Sequence, residues 1–265
     1  MNVWTVANQK GGVGKTTSVV SCAGLLADTG QRVLVIDLDP QGSLTSYFRH
    51  DPERIALSTY DLFCRQTLPA NAELDRMTLA TSSPNIKLLP ACAALATVER
   101  DCRTNDSIGL RISRLIERLE DRYDHVIIDT PPVVGVLMIN ALAASERLII
   151  PVQTDYLAVQ GLQRMVATLA MVARARGTAL NFTIVPTMFE TGCEVSVQSL
   201  RAIIDALGQY VEDVVIPRDN SFREAAMYGR VPSQTAPQSR GVMAYRGLLC
   251  NAGLLTHRAD LAVVA

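Results

Sequence analysis

One nine-residue stretch near the start of the sequence constrains the chain more than any other: Gln9-Lys10-Gly11-Gly12-Val13-Gly14-Lys15-Thr16-Thr17. It follows a short apolar run, residues 3–7, that reads as a strand. It opens a run of small and apolar residues, 16–28, that reads as a helix closed by Gly30. Glycines in such a loop let backbone N–H groups turn inward and approach phosphate oxygens closely. The N-terminus of the following helix adds unsatisfied donors and a partial positive charge. Lys15 would neutralise β- and γ-phosphates, and the Thr16 hydroxyl would coordinate Mg²⁺. A tight turn with an incidental lysine does not account for loop, lysine, hydroxyl and both flanking elements together.

Residues 32–37 (RVLVID) form a continuous run rich in β-branched residues, the pattern of a strand buried on both faces. Strand, glycine loop, helix and strand make a βαβ unit, which is right-handed with parallel strands. The pattern recurs: a helix over 108–122 leads to a strand over 124–129, and a strand over 147–152 to a helix over 157–176. A strand over 181–186 then leads to a helix over 195–207 and a last strand over 213–216. Helices follow over 221–228 and 240–255. Residues 51–104 are less regular and read as surface helices and loops, with one short strand over 86–89. The alternation predicts an α/β fold, a three-layer, doubly wound, mostly parallel sheet with helices on both faces. It is expected to form one domain spanning residues 1–265.

Composition narrows the function classes. The formal net charge of −1 leaves no strong overall field to draw the chain onto nucleic acid or an anionic membrane. The six cysteines (Cys22, Cys64, Cys92, Cys102, Cys193 and Cys250) form no CxxC pair, so they read as reduced thiols rather than as ligands of zinc or an iron–sulfur cluster. No window reaches the ~18 uninterrupted apolar residues of a membrane span, so no membrane insertion and a cytoplasmic location are expected.

Carboxylates fall where such a sheet binds ligands, at the carboxyl ends of strands. Asp37 and Asp39, in DLDPQG, lie two residues apart and so point to the same side of the chain. Asp129 ends the apolar run HVIID and is followed by Thr130-Pro131-Pro132.

The segment KGGVGKTT resembles the deviant Walker A motif of the ParA/MinD family of P-loop ATPases, of the SIMIBI class, and the likeness extends from residue 3 to about residue 255. Gln9 stands where the plain motif has its first glycine. In that family the extra lysine crosses a nucleotide-sandwich homodimer and touches the partner's phosphates, a role the resemblance gives to Lys10. DLDPQG resembles the family's Walker A′ segment, which implies that Asp39 positions the attacking water and that Asp37 supports Mg²⁺ through water. DTPP resembles Walker B and a switch segment, with Asp129 holding Mg²⁺ through water. Pro217 and Arg218 resemble the late loop that packs on adenine. The resemblance thus implies Mg²⁺ and ATP as cofactors and binding through residues 9–17 (Gln9, Lys10, Gly11, Gly12, Val13, Gly14, Lys15, Thr16 and Thr17), Pro217 and Arg218. It implies catalysis by Lys10, Lys15 and Asp39, and Mg²⁺ at Thr16, Asp37 and Asp129.

The implied function is a dimerising switch ATPase that hydrolyses ATP slowly to position a cargo, either a protein array such as chemotaxis machinery or a plasmid or chromosome partition complex, with the help of an ATPase-stimulating or adaptor protein, in the bacterial cytoplasm at a pole or on the nucleoid. The phosphate loop begins close to residue one, as in the short ParA form. Short ParA proteins bind nonspecific DNA through arginines that are replaced here by Gly192 and Ser221, which argues against DNA as the track unless Arg223, Arg230 and Arg240 rebuild the patch. The tail, residues 256–265, carries only His257 and Arg258 as basic groups, a poor counterpart of the MinD membrane helix. Stretches at 41–48, 135–145, 151–172 and 239–249 resemble ParA-like proteins encoded with chemotaxis genes (ParC), which localise signalling arrays. The alternatives are a metabolic enzyme of the dethiobiotin-synthetase or cobyrinate-amidase type, acting on a small carboxylate, and an iron–sulfur reductase sharing the loop, whose cysteine contexts are not matched here.

Overall fold

The computed structural model describes residues 1–101, 110–177 and 179–256. Cys102, the first two residues of the helix expected over 108–122, and His257 and Arg258 lie outside the described residues.

Along the chain the elements are β1 (Asn2–Val6), α1 (Lys15–Ala27), β2 (Val33–Asp37), α2 (Ser43–Tyr47), α3 (Thr59–Cys64), α4 (Asn71–Met77), β3 (Leu79–Ala80) and β4 (Ile86–Leu89). There follow α5 (Leu95–Asp101), α6 (Arg111–Glu117), β5 (His125–Asp129), α7 (Val136–Ala144), β6 (Arg147–Gln153), α8 (Ala158–Arg176) and β7 (Phe182–Thr187). The last helices are α9 (Glu194–Leu207), α10 (Ser221–Tyr228), α11 (Pro232–Thr235) and α12 (Arg240–Asn251).

Among the described residues, seven strands form one sheet in the order β3-β4-β2-β5-β1-β6-β7. All neighbours are parallel except β3, which runs antiparallel to β4 at the edge. The pleat sorts side chains between two layers. Val33 and Val35 of β2 face α1 and α12, while Leu34 and Ile36 face α3 to α7. Ile127 of β5 takes the first side, Val126 and Ile128 the second. Helix α1 is buried along almost its whole length, wedged between the sheet and α11–α12. A Cβ on Gly24 would stand 2.7 Å from Val231 Cβ and 2.8 Å from Ser233 Oγ, so only glycine allows that approach.

The structure corrects the sequence reading in three places. Residues 213–216 form no strand; isolated bridges, Ile184 with Val211 and Phe189 with Pro217, carry the chain past the sheet edge. Helix α12 stops at Asn251, and Gly253 turns the chain with φ 74°. The segment after Asp51 is not merely surface: Leu62, Phe63, Leu74 and Met77 are core residues.

The strand register aligns the acidic residues with the glycine loop. Val6 and Asp37 are both paired with Asp129, so the carboxyl ends of β1, β2 and β5 lie level. The glycine loop leaves β1, at one end of that row, with Asp129 ending the neighbouring β5 and Asp37 ending β2 beyond it.

Candidate functional site

The loop between β1 and α1 uses its glycines as the sequence requires. Gly12 and Gly14 have φ 73° and 90°, which only glycine adopts without strain. A Cβ on Gly11 or Gly12 would meet nothing within 4 Å, so this side of the loop is open. Gly14 caps α1 with no side-chain acceptor, leaving the first N–H groups of the helix available to an anion. Val13 is buried behind the loop, and its carbonyl accepts the Thr187 hydroxyl at 2.9 Å. Asn8, missed by the sequence reading, braces the entry. Its carboxamide accepts from Lys10 N–H (3.0 Å) and donates to the Pro151 carbonyl (2.8 Å).

Gln9 departs from the expectation of a phosphate contact. Its Nε2 donates to Thr168 Oγ1 at 2.9 Å and lies 3.9 Å from Met165 Sδ, so the side chain ties the loop to α8.

Lys15 is buried, and its Nζ donates to the Lys10 carbonyl at 3.3 Å. Burial lowers its pKa, against the pull of Asp129 and Asp39. Thr16 Oγ1 donates to Asp129 Oδ2 at 2.6 Å. Burial pushes the Asp129 carboxyl up to about 8, and Asp37 beside it acts in the same sense, while the Thr16 hydrogen bond and Lys15 oppose. A hydroxyl and a carboxylate in contact, in a buried acidic setting short of positive charge, are the hard oxygen donors that suit Mg²⁺. Among the described residues no three His, Cys, Asp or Glu side chains form a metal cage. The fit is therefore to a cation held largely by phosphates and water, as Mg²⁺ usually is.

The two remaining aspartates divide their work. Asp37 is fully buried, and its oxygens accept from Asp39 N–H (3.0 Å), Thr45 N–H (2.8 Å) and Thr45 Oγ1 (2.7 Å). Burial still pushes it up to about 6. It braces the turn between β2 and α2 and stands behind the site, not on its surface. Asp39 lines the phosphate cavity, accepting from Gln41 N–H at 3.0 Å. Burial raises its pKa, against the Gln41 hydrogen bond and the Lys15 charge.

Two cavities meet at the loop. One, of about 370 Å³, is bounded by Gly12, Lys15, Thr16, Asp39, Ser43 and Pro132. The other, of about 210 Å³, is bounded by Ile216, Pro217, Arg218, Phe222 and Tyr245, with Thr17 of the loop on both. Pro217 and Arg218, which the resemblance implies pack on adenine, border this second cavity. Phe222 and Tyr245 were missed, since one aromatic on each of two short helices carries no motif. Phe222 and Tyr245 pack edge to face at 5.7 Å, and Tyr245 OH is 2.7 Å from Ser18 Oγ on α1. Arg218 is held by Glu190, Nη1 to Oε1 at 2.7 Å.

Lys10 lies outside the phosphate cavity. Its Nζ forms a 3.0 Å ion pair with Asp155, in the turn between β6 and α8, with side chains 36% and 44% exposed. It borders a separate outward cleft of about 340 Å³ with Leu157, Gln160 and Arg164. Leu157, which lines this cleft, and the adjoining Tyr156, 84% exposed, are large apolar side chains open to solvent beside it. Gly192 is on the surface with open space around it. Ser221 is buried, with its hydroxyl donating to Ser239 Oγ at 3.0 Å.

Comparison with known proteins gives a consistent picture. A family model described as an AAA domain (AAA_31) matches residues 1–182. The chain is 34% identical over 244 residues to the sporulation initiation inhibitor protein Soj of Bacillus subtilis, covering 92% of this chain and 94% of that one. It is 38% identical over 248 residues to the chromosome-partitioning ATPase Soj of Thermus thermophilus, covering 92% of each. Among solved structures, cobyrinic acid a,c-diamide synthase of Mycobacterium smegmatis, with bound ATP analog and magnesium, superposes with a TM-score of 0.79 at 32% identity, over 93% of this chain and 92% of that one.

Proposed function

Because the chain belongs to the ParA/MinD family of P-loop ATPases, we propose that it is an ATP-driven dimerising switch that positions a cargo. Residues 1–265 are read as one ATPase domain with Mg²⁺ and ATP as its cofactors. The nucleotide lies with its phosphates against Gly11, Gly12, Val13, Gly14, Lys15, Thr16 and Thr17, and its base in the cavity of Pro217, Arg218, Phe222 and Tyr245. Lys15 and the loop N–H groups hold the phosphates. Thr16 and Asp129 would hold Mg²⁺, which supplies charge neutralisation on the phosphate oxygens, and Asp37 braces that corner. Asp39, the acidic side chain lining the phosphate cavity, accepts a hydrogen bond from the attacking water and orients it.

The observation that carries the switch reading is the placement of Lys10. A lysine meant for phosphates in its own subunit would line the phosphate cavity, as Lys15 does. Lys10 instead stands on the outer rim among exposed apolar side chains, where a second copy of the chain would meet it. ATP held between two copies gives the differential affinity that a two-state switch requires. Hydrolysis, stimulated by a partner protein, would then release the dimer.

The cargo is read as a protein array, such as a chemotaxis array, in preference to DNA. Gly192 and Ser221 supply no cation, and Arg218 is already paired with Glu190. Among the described residues no helix is long and apolar enough to cross a membrane. The test uses the Asp39→Ala protein to hold the ATP state. Light scattering should show a dimer with ATP and a monomer with ADP, and nonspecific duplex DNA should not be retained. ATP-dependent, salt-sensitive DNA binding would overturn the array reading, and the absence of an ATP-dependent dimer would overturn the switch.

A second reading, an ATP-dependent enzyme acting on a small carboxylate, draws weight from the likeness to the cobyrinic acid synthase. Turnover that depends on an added small acid, with no ATP-dependent dimer, would favour it.

A further inference from the structure

Met188 follows the last residue of β7, where the chain leaves the sheet for the Pro217 loop. Its φ is 54°, in the left-handed region that residues bearing a Cβ avoid. Hydrogen bonds on both sides fix it there. Thr187 Oγ1 donates to the Val13 carbonyl (2.9 Å), and the Thr187 carbonyl accepts from Thr154 N–H (3.2 Å). Phe189 N–H donates to the Ile216 carbonyl (3.1 Å), and its own carbonyl accepts from Arg218 N–H (3.1 Å). Glycine would satisfy this backbone without strain, so the side chain is the reason to look for a role.

That side chain reaches the junction of the two cavities. Gly14, Thr17 and Met188 line both. Gly14 and Thr17 belong to the phosphate loop, whereas Met188 arrives from the far side. Its Cε lies 3.9 Å from where a Cβ on Gly14 would stand, so the thioether end rests over the loop. A molecule with phosphates in one cavity and a base in the other has its sugar at this junction. An unbranched, polarisable side chain moulds well to the apolar edge of a sugar.

We propose that Met188 is a nucleotide-contacting residue whose side chain packs on the sugar at the junction of the two cavities, and that its strained backbone aims it there. The proposal rests on the reading of the two cavities as one nucleotide site.

The test compares wild type with Met188→Ala, Met188→Gly and Met188→Leu by titration calorimetry with Mg-ATP and by thermal melting without nucleotide. Alanine and glycine should each weaken Mg-ATP binding about tenfold, and leucine should stay within about threefold of wild type. Glycine should melt about 2–4 °C above alanine, because it alone relieves the positive φ. Stability is thus recovered by glycine and affinity is not. Magnesium tripolyphosphate, which has no sugar, should bind all four proteins alike. Wild-type Mg-ATP affinity in the alanine and glycine proteins would overturn the contact. So would tripolyphosphate binding that falls in parallel with that of ATP, because the loss would then lie in the phosphate loop. A wild-type protein that binds no Mg-ATP would instead sink the nucleotide site itself.

Discussion

Thr16 Oγ1 and Asp129 Oδ2 lie 2.6 Å apart, so the first turn of α1, which borders the phosphate cavity, is hydrogen-bonded to the buried end of β5. The carboxylate of this pair is raised to about 8, chiefly by burial. A carboxyl whose folded pKa exceeds its ordinary value of 3.8 favours the folded state at low pH, and that contribution is lost as pH rises toward the folded value. Asp129→Asn removes the charge and keeps the shape. The melting temperature of the nucleotide-free variant should therefore gain on wild type between about pH 5 and about pH 8. A difference that does not change over that range would show that Asp129 is ionised throughout.

Lys15 and Asp39 should separate binding from chemistry. Lys15→Ala removes the buried cation at the phosphate cavity and should abolish Mg-ATP binding, read by calorimetry. Asp39→Ala should bind Mg-ATP, fail to hydrolyse it and accumulate as dimer. Phosphate release at the wild-type rate from Asp39→Ala would rule out the water-positioning role.

The ion pair between Lys10 and Asp155 holds the lysine within its own subunit. Both partners are well exposed, so the pair is weak and its effect modest. Asp155→Ala should tighten the ATP-dependent dimer about two- to fivefold, measured by sedimentation. Lys10→Ala should abolish the dimer, and Lys10→Ala with Asp155→Ala should be no better. A weaker dimer in Asp155→Ala would mean that the carboxylate works across the interface instead.

Gly24 tests the packing behind the site. A methyl group there meets Val231 and Ser233 at under 3 Å, and α1 must shift on the sheet to admit it. Gly24→Ala should lower stability by about 1–3 kcal/mol in denaturant unfolding, despite the better helix propensity of alanine. An unchanged midpoint would show that α11 yields freely.

Some parts of this molecule were legible in sequence because their chemistry is local. The phosphate loop needs its glycines, lysine and hydroxyl in consecutive positions, and β2 and β5 announce themselves as apolar runs ending in aspartate. What the sequence hid was built across distance. Phe222 and Tyr245 reach one cavity from α10 and α12, and Met188 enters from β7. Gln9 looked like a loop residue, but its partner Thr168 lies 159 positions further along the chain. Asp37 carried the right residue type at a strand end, yet Thr45, eight residues on, takes up one of its oxygens and the Asp39 N–H the other. The strand expected over 213–216 failed for a related reason: apolar character marked burial, but the chain there spans from the sheet edge to the cavity of Ile216 and Pro217 instead of extending the sheet.

The hydrogen bond between Ser18 and Tyr245 spans 227 positions of the chain. Distance along the chain and distance in space are thus decoupled at this point. A substitution at Tyr245 reaches the helix that starts at the phosphate loop as directly as one made within that helix.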